Sequence, residues 1–169
     1  MTYRVTRIVV EAIIYSLLYS AFMLVLFKVQ GARKQLYNYP PAIKERAIER
    51  GIITQEELDA NAKKNKLIGF LGMALLCIAI TCGVNKQYTF FAGFWQSYLF
   101  LNAFSLFDAL VIDTIWFCHG KWWVIPGTED MTDAYHDYVF HWKWFFVGLV
   151  GSLPMAVIIG GIVALIGHI

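Results

Sequence analysis

Hydrophobic positions in this chain fall into four long runs, at about 8–27, 67–84, 92–117 and 144–166. None alternates with period two, and none shows the single apolar stripe of a helix that lies on a soluble core. About 20 consecutive apolar residues suffice to cross a bilayer as a helix. The pattern predicts an all-α, polytopic integral membrane protein, one four-helix transmembrane domain over residues 1–169. The polar connections 28–66 and 118–143 are long for simple turns, so each is expected to carry one or two short surface or interfacial helices.

Local signals place those short elements. Pro40-Pro41 marks a helix start, because proline suits a first turn whose N–H groups have no partner, and Gly51 marks its stop. Thr54-Gln55-Glu56-Glu57 fits a capping box, and the helix it opens is expected to run into the second span. The stretch Glu49 to Lys64 resembles the short helical hairpin found at the ends of many bacterial proteins, a resemblance that implies no function. In the second connection Pro126-Gly127 reads as a turn. Thr128 is expected to cap a helix that starts with Glu129 and Asp130 and continues through Phe140. Five of the six tryptophans (Trp116, Trp122, Trp123, Trp142 and Trp144) flank this connection, which predicts that it lies along the membrane surface.

Composition sharpens the picture. The chain is 59% hydrophobic and only 15% charged, against about half and about a quarter in an average soluble domain. A net charge of +2 gives no basis for nucleic-acid binding. Cys77, Cys82 and Cys118 form no disulfide or zinc pattern and read as small buried hydrophobes. Arg4 and Arg7 precede the first run as they would in a signal peptide. The run is too long for one, and no small-residue cleavage pattern follows, so a retained span is expected. Nine Lys and Arg lie in the connection 28–66 and two in the connection 118–143, against three on the opposite side. The positive-inside bias then puts the connections 28–66 and 118–143 in the cytoplasm and both termini outside the cell membrane.

Small residues recur every fourth position along the fourth span, at Gly148, Ser152, Ala156, Gly160 and Ala164. Such a ladder lets two helix backbones approach closely in lipid. It is a candidate contact face within the bundle, or between copies in a homo-oligomer or the subunits of a membrane complex.

Candidate chemistry concentrates in the third span and the connection after it. Spans two to four contain two acids, Asp108 and Asp113, and no Lys or Arg. An ionised group at the bilayer centre costs at least about 2.5 kcal/mol and is usually paired or functional. Asn102, Asp108 and Asp113 are therefore candidate ligand- or cation-binding residues. Asn102 and Asp113 are expected to share a helix face across Ser105, with Asp108 on its flank. At the start of the first span, Glu11 lies one turn after Arg7, and the two read as an interfacial ion pair. In the connection His119, Asp133, His136, Asp137 and His141 are candidate metal ligands, because i, i+3 and i, i+4 spacings point two side chains the same way from one helix. A divalent transition metal is the candidate cofactor. Three functions remain open: a cation-accepting site for a proton, metal or organic amine, used in transport or ligand binding; a metal-dependent enzyme acting on a membrane-dissolved substrate; and a structural subunit of a membrane complex. No catalytic residue is assigned.

Overall fold

The computed structural model describes residues 2–169, with side chains from Thr6 onward. Helices and their connections account for all of it, and no strand occurs among the described residues. Four helices are long and apolar enough to cross a membrane. In chain order, α1 is Thr2–Gln30, α2 is Ala32–Gln35, α3 is Pro41–Glu49 and α4 is Gln55–Ile78. Then come α5 at Phe90–Phe107, α6 at Thr132–Tyr135 and α7 at Tyr138–Ile166.

The local signals account for several boundaries. Pro41 opens α3, and Gly51 follows it with φ of 66°, a left-handed conformation that glycine adopts without penalty. The capping box is present. The Glu57 amide donates to the Thr54 hydroxyl at 3.2 Å, and the Thr54 amide to the Glu57 carboxylate at 3.3 Å. From this cap α4 runs without a break into the second apolar run, as the spacing predicts.

One expectation fails, and one span winds differently along its length. The connection helix from Thr128 through Phe140 is not continuous. Thr128 turns its hydroxyl inward, to the Ile125 carbonyl at 2.8 Å and the Tyr135 hydroxyl at 2.8 Å, so it caps nothing. The single turn α6 then stops at His136, and Asp137 starts a new helix by accepting the Phe140 amide at 2.9 Å. The third span also changes character. It is α-helical only to Phe107, and Asp108–Phe117 winds as a π-helix. Its bonds reach five residues back: the Cys118 amide donates to the Asp113 carbonyl at 3.0 Å, and the Thr114 hydroxyl to the Ala109 carbonyl at 2.6 Å. A second π segment, Ala79–Val84, ends the α4 helix.

The closest packing in the bundle is α5 against α7. The α7 ladder meets α5 position by position, in antiparallel order. A methyl group built on Gly160 would lie 2.9 Å from the Phe90 carbonyl, and one on Gly148 would lie 3.1 Å from the Ser105 hydroxyl. Between them Asn102 donates to the Ser152 hydroxyl at 3.1 Å. The ladder's neighbour is therefore α5 of the same chain.

Both connections lie at one end of the bundle and pack on each other. Leu36, Tyr39, Ile43, Ala47 and Ile53 from the first join Trp123, Ile125 and Tyr135 from the second in one buried cluster. Tyr39 donates to the Trp123 carbonyl at 2.7 Å, and Tyr135 accepts the Ile125 amide at 2.9 Å. At the rim Arg46 pairs with Asp130 at 2.9 Å and holds its carboxyl below the usual range. Trp123 thus belongs to this cap, only 5% exposed, while Trp116, Trp122 and Trp144 remain exposed around it. The opposite end is closed by a smaller polar cluster. Arg7 pairs with Glu11 at 2.7 Å and donates to Asn85, whose amide donates to Glu11 at 2.9 Å and Gln96 at 2.8 Å.

Candidate functional site

Beneath the cap, all four long helices diverge around a cavity of about 540 Å³. Its walls are mainly apolar and aromatic, with Met23 and Phe27 from α1, Phe70 and Met73 from α4, Phe104 from α5 and Phe140 from α7. A pocket of this size and character suits a small amphiphile, with a few polar groups to orient it.

Three of those polar groups are acidic or basic side chains on one wall, Asp108, Asp113 and His141. The π-helix explains how both aspartates reach it. In an α-helix, residues five apart point well away from each other. A π-helix bonds each N–H to the carbonyl five residues back, so residues five apart stack along its axis. Asp108 and Asp113 thus come to one side, along with Ile112, another lining residue. Asp113 also faces α7, and its Oδ2 lies 3.0 Å from Nδ1 of His141. The phase of α7 is set by the Asp137 cap one turn earlier, which turns His141 inward to 4% exposure.

The pair constrains the imidazole. A carboxylate can only accept, so Nδ1 carries the hydrogen, and Nε2 of the neutral ring is a lone-pair acceptor. That Nε2 is buried without a hydrogen-bond partner. The ring is held edge-on by Phe117 and Phe140, with centroids at 5.0 and 5.2 Å. Asp108 is freer still. Among the described residues its carboxylate has no hydrogen-bond or ion-pair partner, and it lines the cavity close to Tyr19. The Tyr19 hydroxyl is itself committed to the Gly69 carbonyl at 3.1 Å.

Other predicted site residues lie elsewhere. Asn102 shares the α7-facing side of its helix with Asp113, as expected, but it is used at the α5–α7 contact and does not line the cavity. The five metal candidates scatter. His119 Nε2 bonds the Tyr138 hydroxyl at 3.1 Å, His136 lies beside it with ring centroids 5.1 Å apart, Asp137 is a helix cap, and Asp133 is exposed. The break at His136 destroys the helical spacing that would have aligned them. Among the described residues no group of three or more His, Cys, Asp or Glu side chains is placed to hold a metal ion.

The cavity also contains residues that sequence reasoning passed over. Asn65, 5% exposed, donates to the Lys34 carbonyl at 3.2 Å and leaves its Oδ1 without a partner. Lys44 and Lys66 line the cavity on its cap side. Burial and the neighbouring Lys66 lower the pKa of Lys44, whose ammonium lies 5.9 Å from the Phe140 ring centre. In the sequence these lysines count only towards the positive bias of a connection, and nothing in their spacing points to the span beneath them. Comparison with protein families, with characterised proteins and with solved structures finds no match to this chain.

Proposed function

We propose that the four long helices cross a bilayer, with the cap on the cytoplasmic side, and that the cavity takes up a membrane-dissolved ligand. Asp108 and the Asp113–His141 pair accept the ligand's proton or cationic group, and the protein binds that ligand or carries it across the membrane. The observation that carries this reading is Asp108. An acidic side chain on a mostly apolar wall, with no partner among the described residues, is a costly arrangement that an incoming cation or proton relieves. Asp113 is already engaged by His141, so the two aspartates divide the work. Asp108 meets the ligand, and the pair supplies or stores a proton.

A second reading rests on the imidazole. A histidine oriented through Nδ1 by a carboxylate is the arrangement of a general base, and a substrate seated in the cavity would supply the missing partner of Nε2. This enzymatic reading needs no metal.

Infrared difference spectroscopy across pH, with and without dodecylamine, tests the first reading. A carboxyl band should appear in the pH titration, move when dodecylamine binds and disappear in Asp108→Asn. Retention of the band in Asp108→Asn, or dodecylamine affinity equal to the parent's, would reject Asp108 as the acceptor.

A further inference from the structure

We infer that Lys44, Lys66 and Asn65 form the headgroup end of the cavity, and that its ligand is an amphiphile with an oxyanion head, of the phosphate or carboxylate class. The inference rests on reading the cavity as a ligand site; it keeps the ligand's proton or cationic group at Asp108 and adds an oxyanion at the cap end.

Three observations support it. First, the cavity is polarised. Its acids, Asp108 and Asp113, are on the π-helix, while its two cations come from α3 and the polar end of α4. Second, neither cation is in an ion pair. Among the described residues no carboxylate lies within ion-pair distance of either lysine, whereas Arg33 and Arg46 of the cap each pair with an acid. Glu45 acts on Lys44, but its effect is smaller than that of burial and of Lys66. Two ammonium groups that disfavour each other at the edge of an apolar recess are relieved by one anion between them. Third, Asn65, next to Lys66 in sequence, also lines the cavity, and its buried Oδ1 has no hydrogen-bond partner.

The geometry also sets the ligand's direction. An oxyanion at the lysines leaves the chain to run between Phe70, Phe104 and Phe140, past Asp108. Lysine ammonium groups reaching the level of lipid headgroups are ordinary at a membrane interface. What distinguishes this pair is that both side chains line a recess that continues into the bundle.

Dodecyl phosphate is the direct probe, titrated against the protein in a non-ionic maltoside detergent with thermal unfolding and calorimetry as readouts. Dodecanol and inorganic phosphate are the controls for chain and head alone. The expected result is saturable binding of dodecyl phosphate, at least tenfold tighter than either control. Affinity should fall at least tenfold in the Lys44→Gln/Lys66→Gln double variant and return in Lys44→Arg/Lys66→Arg. Both lysines are partly or fully exposed, so these variants should fold, and circular dichroism checks that they do. Dodecanol binding as tightly as dodecyl phosphate, or glutamine variants binding like the parent, would overturn the inference. Lysine-dependent binding of inorganic phosphate at equal affinity would also overturn it, in favour of a free-anion site. The infrared titration reads Asp108 and the dodecyl phosphate titration reads the lysines. A carboxyl band retained in Asp108→Asn together with lysine-dependent binding condemns only the acidic reading, and the reverse condemns only this one.

Discussion

Buried polar side chains in this molecule separate into those that are satisfied and those that are not. Tyr135 belongs to the first group. Its hydroxyl accepts the Ile125 amide and also meets the Thr128 hydroxyl, so it ties the second connection to itself from inside the cap. Tyr135→Phe would leave a buried amide with no acceptor, at a cost of about 1–3 kcal/mol. Thermal unfolding followed by tryptophan fluorescence should show that loss, because Trp123 packs in the same cluster. A variant as stable as the parent would mean that water replaces the hydroxyl. The second group among the described residues is Asn65 Oδ1, Thr81 Oγ1, Ser97 Oγ, Trp123 Nε1 and His141 Nε2. Unsatisfied atoms are rare in native interiors, and three of these five belong to residues that line the cavity, Asn65, Trp123 and His141, which is the residue-scale argument for a ligand.

At the scale of elements, the α5–α7 contact and the π-helix do different work. The contact needs close backbone approach at Gly93 and Gly160. A methyl group on Gly93 would lie 2.8 Å from the Val163 side chain and 2.9 Å from the Gly160 backbone. Gly160→Ala should therefore destabilise the protein by about 1–3 kcal/mol through overpacking. Gly161, one residue on, has open space around it, and Gly161→Ala should be neutral or stabilising by up to about 1 kcal/mol because alanine favours the helix. Thermal unfolding of the two variants in detergent checks the pair, and equal effects would remove the ladder's role. The π-helix instead serves position. π segments are rare and mostly single turns at functional sites, and this one runs for 10 residues between the two aspartates and the cap.

The whole molecule is polarised end to end. One end carries the cap, the cavity and most of the Lys and Arg; the other carries the first turns of α1, the end of α7 and the Arg7–Glu11–Asn85–Gln96 cluster. With the cap in the cytoplasm, a membrane-impermeant thiol reagent added to whole cells should label Thr2→Cys and spare Ala60→Cys, in a background lacking the three native cysteines. Labelling at position 60 alone would invert the proposed orientation. The cavity would then open towards the outer leaflet, and its ligand would be sought there.

Much of this was legible in the order of the residues. Four long apolar runs need no tertiary contact to be read, because helix length and hydropathy are local properties, and the capping box and Pro41 start are local for the same reason. The acids Asp108 and Asp113 stood out because no cation shares their runs. What the sequence hid was long-range or depended on a change of helical register. The single helix expected after Thr128 gave way because Thr128 and Tyr135 find buried partners in the cap, which outweigh the helix propensity of a short polar segment. The small-residue ladder and the Asn102–Asp113 strip were each visible, but only folding decided that they face each other. His141 was grouped with four connection residues by spacing, and tertiary packing took it away from them and set it against Asp113. The π register of residues 108–117 has no sequence signature, since it depends on which carbonyl each amide finds once the bundle has closed. Lys44 and Asn65 acquired their meaning in the same way, when a connection that reads as solvated folded over the end of the bundle and became the roof of a cavity.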